Sequence, residues 1–200
     1  MNKNKLLIFG GSFNPVHNGH INLALAAQSF IDADKLIVLP TNISPHKGGN
    51  ITSSFHRFNM CKMAFGKFDK TEVSDLEIKR GGISYTIDSL NEFRKVYHDS
   101  EIFLLVGSDM LINLISWKDA NKIFKITKIC AACRTYGEHE QVLNYSKFLQ
   151  KMGAKVLIMD FYPFEVSSSE IRRKIKDSVS IRGLVPDDVF NYIIENKLYV

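Results

Sequence analysis

At 200 residues, 45% of them hydrophobic and 24% charged, the chain has the make-up of a globular protein that buries a sizeable core. Its formal charge of +5 comes from 26 Lys+Arg against 21 Asp+Glu scattered along the sequence, which argues against a nucleic-acid module and for a small anionic ligand. No apolar run approaches the ~20 residues that span a bilayer, 6–9 is too short for a signal-peptide core, and three cysteines make no disulfide framework, so a cytoplasmic protein is expected.

In chain order, an apolar run at 5–9 reads as a strand that empties through Gly10-Gly11-Ser12-Phe13-Asn14-Pro15-Val16-His17-Asn18-Gly19-His20 into a helical pattern over 21–30. Further strands are expected at 35–39, 71–78, 102–106, 126–133 and 155–159, most of them separated by segments of helical spacing. Such alternation predicts an α/β fold with a Rossmann-like, doubly wound parallel sheet. The helix after Ser54 is expected to turn Phe55, Phe58, Met63 and Phe65 to the core, and the one after Thr86 to bury Ile87, Leu90, Phe93 and Tyr97 on a stripe. Residues 41–54, rich in Asn, Ser, Pro and Gly, form the softest segment and follow a strand's carboxyl end, where open α/β sheets bind ligands. Ser167-Ser168-Ser169-Glu170 has capping-box spacing, and Pro186 fits the first turn of a last helix. One domain over 1–200 is expected, with a core over about 1–165 and a small C-terminal helical part over about 166–200.

Gly10 and Gly11 at a strand-to-helix turn let backbone approach a polyphosphate, and the free N–H groups of a helix start favour an anion. His17 and His20, three apart, share a helix face and reach one ligand. Their other readings are helix-start residues satisfied by water, or two zinc ligands lacking a third at familiar spacing. Cys130 and Cys133 form a formal Cys-x-x-Cys, but within a buried strand residues three apart point to opposite faces. The serines at 167 to 169 with Arg172 read alone as a capped helix with a solvated Arg; paired with the first helix start they read as the opposite jaw of a polyphosphate clamp. Lys47 adds a cation on the soft loop. A dinucleotide-binding oxidoreductase is disfavoured, because it needs Gly-x-Gly-x-x-Gly and an acid ending the second strand, where this chain has Leu39-Pro40-Thr41.

Five ordered blocks resemble the nucleotidyltransferases with a His-x-Gly-His element, and among them the bacterial nicotinate mononucleotide adenylyltransferase family: 10–20, 40–47, 80–90, 107–117 with Trp117, and 166–172. The resemblance implies transfer of adenylyl from ATP to nicotinate mononucleotide, giving deamido-NAD and pyrophosphate. Magnesium is implied as a cofactor carried by the ATP phosphates, with no protein metal site. It assigns His17, His20, Arg172 and Lys47 to catalysis, and Gly10, Gly11, Ser12, Phe13, Gly107, Asp109, Ser167, Ser168 and Ser169 to ATP. Asn42, His46, Lys47, Tyr85, Thr86, Trp117 and Arg134 would hold the mononucleotide, with Trp117 stacked on its ring. Small-molecule substrates are implied as partners, with neither nucleic acid nor membrane, and a homo-oligomer is left open. Asn14 and Ser169 depart from the family's frequent Asp and Thr, and Thr135-Tyr136-Gly137 from its Pro-Gly, so the shape of the nicotinate pocket follows least directly. Phosphopantetheine adenylyltransferases generally have Thr in place of the first histidine, which His17 argues against.

Overall fold

Branched apolar residues fill each strand and turn chemistry ends it. The computed structural model describes residues 3–45, 52–133 and 136–200, with backbone alone at 136–138. The order is β1 (Lys5–Gly11), α1 (Asn18–Ile31), β2 (Lys35–Pro40), α2 (Ser54–Phe65), β3 (Thr71–Val73), α3 (Leu76–Arg80), α4 (Thr86–Val96) and β4 (Glu101–Gly107). Then come α5 (Ser108–Asn113), a 3-10 turn (Leu114–Ser116), α6 (Ala120–Ile126), β5 (Lys128–Cys133), α7 (Tyr136–Lys151), β6 (Lys155–Asp160), α8 (Ser168–Lys176) and α9 (Asp187–Glu195).

The strands form one six-stranded sheet of order β3-β2-β1-β4-β5-β6. Ladders β1·β4, β4·β5 and β5·β6 run parallel, with Leu6 beside Ile102, Leu104 beside Ile129 and Ile129 beside Val156. With helices on both faces this is the Rossmann-like α/β fold, and the strand order is that of doubly wound sheets, whose ligands bind beyond the strands' carboxyl ends. After their charged first residues, Glu101 and Lys128, the central strands β4 and β5 are apolar because both their faces are covered. β6, at the edge, buries only Met159 fully.

The chain divides into two compact units that interleave in sequence. The first comprises Met1–Phe9, Leu23–Ile37 and Tyr85–Tyr162; the second comprises Gly10–Asn22, Val38–Ser84 and Pro163–Val200.

Several boundaries differ from the sequence expectation. The strand over 71–78 stops at Val73, because the Ser74 hydroxyl accepts the N–H of Leu76 and Asp75 opens helix α3. The branched and apolar residues of 71–78 are thus divided between a short strand and a helix. The one over 126–133 begins at Lys128, since Ile126 ends α6 and the Thr127 hydroxyl donates to Ile123 O. In α2 the inward face is Arg57, Met60, Cys61, Ala64 and Phe65, while Phe55 stands 65% exposed and Phe58 and Met63 are half-buried. The helix is turned by its arginine, whose guanidinium finds four acceptors inside the second unit. In α4, Ile87, Leu90 and Phe93 are buried as expected, and Tyr97, at the cap, is half-buried. Ser167 caps α8 by accepting from Glu170 N, and Pro186 sits at the cap of α9 rather than in its first turn.

Candidate active site

In the second unit, β1 ends in Gly10 and Gly11, and the chain turns through Ser12, Phe13 and Asn14 before α1 begins. Phe13 adopts the left-handed region at φ 45°, a conformation that costs a non-glycine residue about 1 kcal/mol. Its ring is buried, lies edge-on to the His20 ring at 5.0 Å, and fills the space that a side chain on Gly11 would enter 3.0 Å away. A side chain on Gly10 would meet nothing closer than Leu39 O at 4.0 Å, so that peptide lies open.

His17 precedes α1 and His20 lies in its first turn, rather than both lying within the helix. The two rings stack at 3.6 Å between centroids, tilted by 26°. His17 N donates to the Nδ1 of His20 at 3.2 Å, and His20 N donates to the Nδ1 of His17 at 3.3 Å. Each ring thereby caps a backbone donor at the helix start, and with Nδ1 accepting, the ring N–H resides on Nε2. The pair is built to present two Nε2–H donors. Gly19 makes the stack feasible: a Cβ there would lie 3.1 Å from His17 Nδ1 and 3.0 Å from Phe164 O.

Facing this turn within the same unit, α8 brings Arg172 and the three serines. Arg172 donates from Nη1 to Asn14 O at 2.7 Å and from Nη2 to the Ser169 hydroxyl at 3.2 Å. Ser168 donates to Pro15 O at 2.9 Å, while the Ser167 hydroxyl serves as the cap. The Ser168 hydroxyl and Arg172 thus fix α8 against the turn, and with Glu170 N–H capped by Ser167 the first-turn N–H groups of Ser168 and Ser169 are its natural anion donors.

Arg57, absent from the sequence reading, joins the segments. Fully buried, it donates from Nη1 to Ser12 O at 2.8 Å, from Nε to Thr52 O at 2.8 Å and from Nη2 to Asn42 O at 2.8 Å, with the Thr41 hydroxyl at 3.5 Å. Burial lowers its pKa; Cys61, Tyr199 and Glu77 pull the other way. A basic residue in phase with Met60, Cys61 and Ala64 was the legible signal. Asn42 also donates from its backbone to the Ser84 hydroxyl and from its amide to Gly82 O, holding two loops together. His46, Lys47 and Arg134 lie outside the described residues.

The remaining expected residues belong to the first unit. Gly107 caps α5, with exposed Asp109 in its first turn. Thr86 opens α4 and Tyr85 stands at its cap with no side-chain cap bond. Lys118 Nζ lies 4.4 Å over the Tyr85 ring and 3.1 Å from Asp88. Trp117, half-buried, closes the 3-10 turn. Cys61, Cys130 and Cys133 are buried and form no disulfide, and burial pushes the Cys130 thiol up to about 12 and raises Cys61 as well, so both remain thiols at neutral pH.

The class follows from the fold and this turn together: residues 8–174 match the cytidylyltransferase-like family model, a group of nucleotidyltransferases. A probable nicotinate-nucleotide adenylyltransferase of Clostridium acetobutylicum is 36% identical over 198 residues, covering 98% of this chain and 99% of that one. A protein of the same description from Clostridium tetani is 34% identical, covering 98% of each. The chain therefore belongs to the nicotinate-nucleotide adenylyltransferase family. Its fold matches that of Plasmodium falciparum nicotinic acid mononucleotide adenylyltransferase complexed with NaAD, with a TM-score of 0.81 at 20% identity over 98% of this chain and 97% of that one.

Proposed function

We infer that the chain transfers the adenylyl group of ATP to nicotinate mononucleotide, giving deamido-NAD and pyrophosphate. The observation that carries this reading is the reciprocal histidine pair, two stacked rings whose Nδ1 atoms are committed to backbone N–H groups. The acceptor's phosphate is an anion at neutral pH, so its oxygen attacks the α-phosphorus with no general base. As that P–O bond forms, the bond from the α-phosphorus to the bridging oxygen breaks, and pyrophosphate leaves with the electron pair. Charge grows on the α-phosphoryl oxygens and the leaving group, where the Nε2–H donors of His17 and His20, the Arg172 guanidinium and the first-turn N–H groups of α8 offset it. Donors that are already oriented need no reorganisation at that moment.

Magnesium would arrive with ATP and would supply positive charge that offsets part of the charge on its phosphates. Among the described residues no group of three or more His, Cys, Asp and Glu side chains is placed to hold a metal ion. The polar side chains fixed about the turn, Asn14, Arg172, Ser168 and Ser169, are neutral or cationic, which fits an ion delivered by its substrate.

For the other binding roles, the exposed Asp109 carboxylate suits ribose hydroxyls, the half-buried Trp117 suits a pyridine ring, and Thr86 at the start of α4 suits a carboxylate. Asn42, His46, Lys47, Tyr85 and Arg134 are proposed, like Thr86 and Trp117, to contact the mononucleotide, and Asp109 to contact ATP. Small-molecule substrates and a cytoplasmic location complete the reading; among the described residues no helix is long and apolar enough to cross a membrane. The test is product identification: adenine-labelled ATP offered with nicotinate mononucleotide should yield labelled deamido-NAD, lost on chelation of magnesium. Label that stays in ATP with every acceptor offered contradicts the reading.

A further inference from the structure

Beyond the residues that meet phosphate, Asn14 gathers donors from three distant parts of the second unit. Its Oδ1 accepts the Thr52 N–H at 3.3 Å and the Tyr199 hydroxyl at 3.0 Å, and its backbone oxygen accepts Arg172. A closed ring of hydrogen bonds results. Arg57 donates to both Ser12 O and Thr52 O, Thr52 N returns to Asn14, and Asn14 lies two residues from Ser12. Asn14 is itself buried, so loss of one of its partners is not readily made good by water.

Tyr199 enters this ring from beyond α9. It holds the left-handed backbone conformation at φ 69°, which is unfavourable for a non-glycine residue and persists where surrounding contacts impose it. Burial pushes its phenol up to about 12 despite a hydrogen bond with Thr52 and the neighbouring Arg172 and Arg57 charges. The hydroxyl therefore remains protonated at neutral pH and serves Asn14 as a donor. No contact of Tyr199 with substrate is implied.

We propose that Tyr199 is a positioning residue for adenylyl transfer, latching the phosphate-binding turn through Asn14 so that Arg172 and the histidines keep their mutual geometry. The proposal rests on the transfer reaction inferred above only for its kinetic consequence; the structural consequence stands apart from it.

The test uses Tyr199→Phe, which removes one oxygen and keeps the ring. Hydrogen exchange of the amides over 12–17 and at Thr52 should speed up severalfold in the variant, with the β1 and β4 strands unchanged. Turnover should fall about tenfold while the KM for ATP moves less than about threefold. Combined with Asn14→Ala, Tyr199→Phe should add no further loss, because both act on the same bond. Wild-type exchange at 12–17, wild-type turnover, or losses that add in the double variant would each overturn the latch. If the wild-type chain releases no pyrophosphate with either pyridine mononucleotide, the functional reading fails instead, and the exchange experiment still decides the latch.

Discussion

Gly19 stands between the two histidines because no larger residue fits there. A methyl group at that position would crowd His17 Nδ1, Phe164 O and Val166 Cγ1, all at 3.0 to 3.1 Å. Alanine favours a helix over glycine by about 1 kcal/mol, so Gly19→Ala sets helix propensity against the histidine stack. We expect a variant whose unfolding temperature changes little and whose turnover drops at least tenfold, read by thermal melting beside a pyrophosphate assay. Trp117 has the opposite profile: Trp117→Ala should raise the acceptor's KM with a smaller change in turnover, and an unchanged KM would remove the stacking role. At this scale the sequence was most legible where contacts are local. The glycine pair and histidines lie within eleven consecutive residues and carry their geometry with them. Tyr199 bonds Asn14 across 185 positions, a pairing that no local spacing announces.

Two helices of the second unit, α8 and α2, are each placed by a polar device. In α8 the Ser167 cap sets where the helix starts and hence where its free N–H groups point. Ser167→Ala should destabilise the fold by about 1 kcal/mol, measured by urea unfolding, and raise the KM for ATP. In α2 the device is Arg57, which satisfies three backbone carbonyls of separate segments. Arg57→Met leaves those carbonyls buried without donors, and a loss of about 3 kcal/mol is expected in the same measurement. An unaltered unfolding midpoint would show that water replaces the guanidinium. The α2 face was misjudged from sequence because hydrophobicity alone ranks Phe55 above Arg57. The energy of a buried guanidinium depends on acceptors that the helix does not itself contain. The segment after β3 differs for a related reason: branched and apolar residues recur from Thr71 to Ile78 as in a strand, but the side chain of Ser74 tips the chain into a helix.

For the whole molecule, strand order follows from connectivity and handedness, so the alternation of strands and helices was enough to predict the doubly wound sheet. What alternation does not convey is how the long-range polar contacts of the second unit tie its separate segments together. Those contacts also set a pH dependence. The Tyr199 phenol is raised from 10 to about 12 on folding, so its contribution is complete below pH 10 and lost as pH climbs toward 12. Stability measured across that window should fall less steeply in Tyr199→Phe than in the wild-type chain. We infer that the histidines act as oriented donors to the departing pyrophosphate and the α-phosphate, not as bases. Pyrophosphate release with nicotinate mononucleotide, in the wild-type chain and in His20→Asn, tests it most directly, since asparagine can keep the backbone cap at the Nδ1 position while losing the Nε2 donor. We expect release by the wild-type chain, and in the variant a turnover lower by about a hundredfold or more with acceptor KM nearly unchanged. Turnover close to wild type in His20→Asn would rule out the donor role.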